Sequence, residues 1–243
     1  MLEYNSIKPR VYIEPTVISH LVARPSDDET LANWQKASRQ LWEVYADRFE
    51  FVISPVVRDE IKRGDVILSR QRLEIISSLT VLELSQDVIV LVDKLLDTGV
   101  VPLNSVPDAQ HIAVATVHNI EYLVSWNHKH IVNEHKREQI KRVCREAGFN
   151  PTILCTPIEL MEDIQMQETA EKQPEFDPET YTNPILEECY RIKAEISAQF
   201  KTTEEYYHYL KAMQEEEKRK GIKYVSYYEP SNQKTPVKCD DSD

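Results

Sequence analysis

Residues 10–22, RVYIEPTVISHLV, decide the fold of this chain. The apolar run at residues 11–13 favours a short strand, and Pro15 stands at a position where helices commonly begin. Glu14 lies between them, so its carboxylate projects from a strand-to-helix turn. The same alternation of a short β-rich run and a longer helical pattern recurs along the chain, which indicates βαβ units around a parallel sheet.

The alternation predicts an α/β domain over residues 1–164. Helix caps and glycines that follow helical runs mark the ends of its elements. Strands are predicted at 10–13, 50–53, 79–82, 121–124 and 152–154, and helices at 16–22, 28–47, 55–63, 65–77, 86–98, 106–118 and 133–147.

The pattern changes after residue 164. Residues 165–182 are polar and contain two prolines, which is typical of a linker. Residues 183–230 predict two amphipathic helices and a short extended piece at 223–228, and residues 231–243 predict a disordered tail. The first of these helices carries an apolar stripe that needs a surface to cover it, formed by Ile185, Cys189, Ile192, Ile196 and Phe200.

Composition excludes several classes of protein. The 243 residues contain 29 basic and 41 acidic side chains, and a net charge of −12 argues against a broad electrostatic grip on nucleic acid, although a local one stays open. There is no apolar stretch long enough to span a membrane, no secretory signal pattern and no CxxC pair among the four cysteines. We therefore expect a soluble protein of the reducing cytoplasm.

Oxygen-bearing side chains stand at successive strand ends. Glu14 follows the first strand, Glu60 lies on the helix after the second, Asp108 opens a helix, and Asn127 follows the fourth strand. Ligands of open parallel sheets bind beyond the carboxyl ends of the strands, where these side chains could hold a hard cation such as Mg²⁺ or Mn²⁺. Taken singly, acidic residues in a first helical turn are more often caps or dipole partners.

Four blocks of the sequence resemble the PIN-domain nucleases, and most of all the VapC-type toxins of bacterial toxin–antitoxin systems. They are YIEPTVISHLVARPSDD, ISPVVRDEIKRGD, PDAQHIAVATVHNIEYLVSWNHKHIVN and CTPIEL, and the resemblance spans residues 10–162. It implies a three-layer α/β/α sandwich with a mostly parallel sheet and hydrolysis of RNA with Mg²⁺ or Mn²⁺; the helical pattern of residues 183–230 adds a C-terminal α-helical extension to this fold. It also implies a homodimer.

The resemblance assigns the catalytic and metal-binding positions to Glu14, Glu60, Asp108 and Asn127. Many PIN domains have aspartate at the first and fourth of these positions. Glu14 is longer by one methylene and still ligates, whereas Asn127 keeps an oxygen donor without the charge, so one metal ion is favoured over two. The alternative is a non-catalytic PIN-like module that binds RNA or protein.

Basic side chains after the fourth strand are candidates for RNA binding. His130 stands beside the Asn127 turn, and Arg137, Lys141 and Arg145 share one face of a helix. That face either follows RNA phosphates or is an ordinary solvated face, and His130 is either a phosphate contact or a structural histidine.

The second segment, 183–230, resembles the antitoxin-like proteins that accompany such toxins. The resemblance implies that the partner of the nuclease is either this segment of its own chain or a separate antitoxin. We expect the apolar stripe to pack on the first domain and a base such as Arg191 or Lys193 to approach the acidic pocket. The alternative is a helix that only extends the core or dimerises.

Overall fold

The sheet consists of six short strands. This computed structural model describes residues 8–165 and 181–228. The strands are β1 (Arg10–Ile13), β2 (Glu50–Ile53), β3 (Thr80–Leu82), β4 (Tyr122–Val124), β5 (Ile153–Cys155) and β6 (Tyr224–Val225). They lie in the order β5-β4-β1-β2-β3-β6, and every neighbouring pair is parallel.

Ten helices are formed by the residues that the structure describes. They are α1 (Pro15–Val22), α2 (Glu29–Val44), α3 (Pro55–Ile61), α4 (Val66–Ile75), α5 (Gln86–Asp97), α6 (Val106–Val117), α7 (Glu134–Glu146), α8 (Pro157–Gln165), α9 (Pro184–Gln199) and α10 (Thr203–Arg219). The predicted α/β class and the three-layer α/β/α arrangement are confirmed. The predicted bounds lie close to the observed ones because side-chain caps, such as Asp28, Asp65 and Asn133, define the helix starts.

The core strands are buried on both faces, as expected when helices cover a parallel sheet. Residues 11–13 of β1 are fully buried, as are Val52 and Ile53 of β2. The central strand β1 pairs with β4 on one side and with β2 on the other. The carboxyl ends of these three strands therefore meet at one edge, where the acidic residues were predicted to gather.

The helix α9 packs on the first domain through its apolar stripe. Cys189, Ile192 and Ile196 are buried, whereas Ile185 and Phe200 at the two ends of the stripe are only partly covered. The helix lies against α1, α6 and the short turn of 3₁₀ helix at Leu103–Ser105. The stripe is therefore covered within the chain itself, which is also what a helix that only extends the core would show.

The helix α10 and the strand β6 complete the docking of the C-terminal segment. Glu217 of α10 accepts hydrogen bonds from Arg58 Nε at 2.8 Å and from Lys62 Nζ at 2.7 Å, both on or next to α3. It also accepts one from the Tyr224 hydroxyl. The predicted extended piece at 223–228 forms a strand only at Tyr224–Val225, and this strand adds a parallel neighbour to β3. The C-terminal segment thus covers the otherwise open edge of the sheet.

Two predicted segments lie largely or wholly outside the described residues. These are the linker, of which 166–180 are not described, and the disordered tail at 231–243. Within 8–165 and 181–228, the helices are too short or too polar to cross a lipid bilayer.

Candidate functional site

Glu14 is held rigidly at the end of β1. As the N-cap of α1, it accepts a hydrogen bond at Oε2 from the Thr16 amide at 2.8 Å. The Thr16 hydroxyl and the Ser125 hydroxyl, the latter at 3.0 Å, donate to the same oxygen. Because three donors occupy Oε2, the other oxygen, Oε1, is left to face the centre of the site.

Glu60 is oriented by a chain of buried hydrogen bonds. Its Oε1 lies 2.6 Å from His111 Nε2, and His111 Nδ1 lies 2.8 Å from the Tyr12 hydroxyl, which in turn lies 2.5 Å from Ser54 Oγ. Burial raises the pKa of Tyr12 well above its ordinary value, so the phenol stays protonated. A carboxylate only accepts hydrogen bonds, so His111 donates through Nε2 to Glu60.

Asp108 enters the site from the first turn of α6, where Pro107 begins the helix. Its Oδ1 accepts a hydrogen bond from Asn127 Nδ2 at 3.0 Å, and its Oδ2 lies 2.8 Å from His130 Nδ1. The amide oxygen of Asn127 accepts a hydrogen bond from the His130 backbone N–H at 3.0 Å. Asn127 therefore orients Asp108, and its oxygen is not turned towards the carboxylate cluster as the sequence interpretation assumed.

Lys193 of α9 lies at the centre of the three carboxylates. Its Nζ is 2.9 Å from Glu14 Oε1, 2.9 Å from Glu60 Oε2 and 3.0 Å from Asp108 Oδ1, and the side chain is 1% exposed. We call these four side chains the lysine–carboxylate cluster.

The second candidate base, Arg191, does not reach the pocket. Its side chain is exposed and forms an ion pair of 2.7 Å with Glu195 on the surface of the same helix. The sequence pointed to both bases, and the helix geometry selects Lys193 because it shares the buried face of Cys189 and Ile196.

The charges of the cluster control its proton affinities. Burial alone would lower the pKa of Lys193, but the three carboxylates raise it well above its ordinary value. Burial alone would raise the pKa values of Glu60 and Asp108. The charge of Lys193 lowers both, together with the hydrogen bonds from His111 to Glu60 and from His130 to Asp108. Lys193, Glu60 and Asp108 are therefore charged at neutral pH.

The same residues could hold a metal ion. Glu14, Glu60 and His111 each offer a ligand atom, and these atoms lie within 4.8 Å of one another. Three carboxylates facing one ammonium leave an excess of negative charge, and an oxygen-rich donor set of this kind suits a hard divalent cation. His111 is not among the site residues predicted from the sequence, although its position three residues after Asp108 on one helix face was a signal for it.

Three of the four predicted RNA-binding side chains have partners within the protein. His130 contacts Asp108, Arg137 forms a two-pronged pair with Glu159 at 2.8 Å for each bond, and Lys141 pairs with Glu138 at 2.7 Å. Arg145 is exposed. Internal pairing neutralises much of the basic face, and contact of these four residues with RNA stays a prediction.

Comparison of the chain with models of protein families, with curated proteins and with solved structures found no match. The function is therefore argued from the residues of the site.

Proposed function

We propose that the chain is a metal-dependent ribonuclease whose acidic site is kept closed by its own C-terminal segment. The observation that carries the proposal is the convergence of Glu14, Glu60 and Asp108, from three separate elements, on one cation position within 3.0 Å. This position lies at the carboxyl edge of a parallel sheet, where such folds bind ligands. The resemblance of residues 10–162 to PIN-domain nucleases agrees with this chemistry.

Stability alone does not explain why these charged side chains are buried together. Desolvation of each buried charge costs several kcal/mol, and well-packed apolar side chains of similar volume are often as stabilising as a buried ion pair. Three carboxylates that face a single point are instead an arrangement suited to a divalent cation. The charge of the ion would compensate the mutual repulsion of the carboxylates.

Glu14, Glu60 and Asp108 would hold Mg²⁺ or Mn²⁺, with His111 as a further candidate ligand. A bound ion of this kind polarises a scissile phosphate and lowers the pKa of an attacking water. The surrounding side chains contribute orientation: Ser125 fixes Glu14, and Asn127 aligns Asp108.

Lys193 occupies the position that the ion would take, so the lysine and the metal exclude one another. The helix α9 also covers the approach to the cluster, because its buried stripe rests on α1 and α6. The segment is tethered in the same chain, and its high effective concentration favours closure even if the docking is weak. A separate antitoxin, a homodimer and a cytoplasmic location remain predictions.

The proposal is tested with a full-length variant in which α9 is loosened. Lys193→Ala removes the cation, and Ile196→Asp introduces a charge into the stripe at a residue that is 0% exposed. We call this double substitution the opened variant. Its control combines Lys193→Ala with Ala198→Asp, which adds the same charge on the exposed side of α9.

In Mn²⁺, we expect the opened variant to cleave a mixed RNA pool and the wild-type chain to cleave it far more slowly. Addition of Asp108→Asn should abolish both the cleavage and the Mn²⁺-induced rise in melting temperature. A folded opened variant that neither binds Mn²⁺ nor cleaves RNA would refute the proposal.

One observation favours a second candidate, a non-catalytic RNA-binding module. The amide oxygen of Asn127 bonds to the His130 backbone, so the fourth position supplies no ligand to the cluster. This candidate predicts that the opened variant binds RNA in Mn²⁺ but leaves it intact.

A further inference from the structure

A buried arginine of the first domain lies beside the lysine–carboxylate cluster. Arg72 of α4 is 2% exposed and lines a small cavity together with Glu60, with room for about one water molecule. Its guanidinium donates to Arg63 O at 3.1 Å and to Ser19 Oγ at 3.4 Å. Its Nε has no hydrogen-bond partner among the described residues.

The anion that faces this guanidinium comes from α9. Glu188 Oε1 lies 3.5 Å from Arg72 Nη2, and it is also buried without a hydrogen bond in the described part of the chain. Gly64 provides the space for it, because a Cβ at this position would collide with the Glu188 carboxylate. Arg72 and Gly64 thus form a cradle of the first domain that an anionic group of the C-terminal segment enters.

We propose that this cradle is a binding site for a backbone phosphate of the RNA substrate, and that Glu188 takes the place of the phosphate in the closed chain. The inference rests on the proposed function. If the chain is such a nuclease, two side chains of α9 mimic its ligands. The ammonium of Lys193 takes the place of the metal ion, and the carboxylate of Glu188 takes the place of the phosphate.

The chemistry of the cradle suits a phosphate better than a carboxylate. A guanidinium offers five donors in a planar fork that matches phosphate oxygens. The Glu188 carboxylate, by contrast, lies 3.5 Å from Arg72 Nη2, and its Oε1 forms no hydrogen bond in the described part of the chain. A purely structural arginine that binds the Arg63 carbonyl and the Ser19 hydroxyl explains the two terminal nitrogens. It explains neither the unpaired Nε nor the space that Gly64 leaves open to an anion.

The position of the cradle also supports a phosphate-binding role. Glu60 lines the cavity together with Arg72, so a phosphate held there would lie next to the proposed metal ligands. Arg72 would be a positioning residue for the nucleic-acid backbone, whereas the carboxylates hold the cation. Removal of Arg72 should therefore affect RNA affinity without affecting metal affinity.

The first test compares two substitutions in the full-length opened variant. Binding of a fluorescein-labelled oligouridylate is measured by anisotropy in Ca²⁺, and binding of Mn²⁺ by the rise in melting temperature. We expect Arg72→Gln to weaken RNA binding by about 10-fold or more, the effect of a lost hydrogen bond between charged groups. The Mn²⁺ shift should persist, and Arg70→Gln, at an exposed residue of the same helix, should leave RNA binding unchanged.

Unchanged RNA binding in a folded Arg72→Gln protein that retains its Mn²⁺ shift would overturn this inference alone. An opened variant that shows no Mn²⁺ shift before Arg72 is changed would instead refute the proposed metal site. The two failures are therefore distinguishable.

A second test does not require Arg72 to be replaced. Glu188→Gln in the otherwise wild-type chain should raise the affinity for the same oligonucleotide, because the cradle loses its competing anion. Glu187→Gln, at an exposed position one residue earlier, should not. Equal RNA affinity of these two variants would overturn the inference.

Discussion

Replacement of Lys193 by alanine should destabilise the protein strongly in the absence of metal. The substitution removes a 1% exposed ammonium that lies 2.9–3.0 Å from three carboxylate oxygens. Loss of one partner of a buried ion pair costs about 3–5 kcal/mol, because the remaining charges stay desolvated. At about 2–4 °C per kcal/mol for a chain of this size, we expect the melting temperature at pH 7 in EDTA to fall by about 10 °C.

The assay is thermal melting of the full-length chain in EDTA and in Mn²⁺. Arg191→Ala is the matched control, since it removes a cation of the same helix whose ion pair with Glu195 is exposed. Such a pair contributes about 0.5 kcal/mol, so the control should melt within about 2 °C of the wild type. In Lys193→Ala, Mn²⁺ at about 100 times its Kd should restore about 2.7 kcal/mol by mass action. In the wild type the ion competes with the tethered ammonium, so the shift should be much smaller.

Two results would refute this reasoning. Equal stability of Lys193→Ala and Arg191→Ala in EDTA would mean that the buried ion pairs do not stabilise the native state. An equal Mn²⁺ shift in the wild type and in Lys193→Ala would mean that the metal binds elsewhere.

Two further predictions concern the docking of the C-terminal segment. Burial alone would raise the pKa of Glu217, but hydrogen bonds from its partners on α3 and β6 lower it from 4.5 to about 2. The ionised Glu217 therefore contributes its full stabilising free energy above pH 4.5, and this contribution is lost as the pH falls towards 2. Glu217→Gln should lower the free energy of unfolding by about 2 kcal/mol at pH 7 and by progressively less in melts at acid pH. A stability gap that does not change with pH, or the same loss in exposed Glu216→Gln, would contradict this. Gly64→Ala and Gly148→Ala both place alanine at a positive φ, +83° and +87°, with a backbone cost of about 1 kcal/mol. Only the first also meets the Glu188 carboxylate, which is the end of a flexible, partly exposed side chain and can move aside. It should therefore lose up to about 1 kcal/mol more in denaturant titrations, the value of the displaced Arg72–Glu188 pair, and equal losses would argue against the close approach of Glu188 to the cradle.

Much of the first domain was predictable from local sequence. The strands of residues 10–13 and 50–53 and the helix starts at their caps follow from short-range patterns, and the observed elements lie within a few residues of them. Two elements were missed or only partly recognised. The helix α8 was missed although Thr156 and Glu159 form a capping box at its start, beside Pro157. The extended piece at 223–228 becomes β6 only because it pairs with β3. A strand of two residues has no periodicity of its own to detect.

The candidate site was predictable in its acids but not in its contacts. Glu14, Glu60 and Asp108 stand near strand ends, and the rule that parallel strands present their carboxyl ends at one edge brings them together. The contact of Asn127 with the His130 backbone spans three residues and is of a local type that asparagine favours, but the sequence does not show that it turns the amide oxygen away from the carboxylates. The neutralisation of Arg137 depends on Glu159, 22 positions away, and has no signature in the sequence.

The sequence by itself therefore determined the α/β class, the positions of the acidic residues at strand ends and the amphipathic character of the C-terminal helix. These properties arise from interactions within a few residues, such as caps, periodicity and turns. Only the tertiary structure decided that Lys193 enters the carboxylate cluster, that Glu188 faces Arg72 and that β6 extends the sheet beyond β3. Each of these contacts joins the C-terminal segment to a distant part of the first domain. Burial of the apolar stripe fixes the surface on which α9 lies and the rotation of the helix about its axis. That rotation in turn places the charged side chains Lys193 and Glu188.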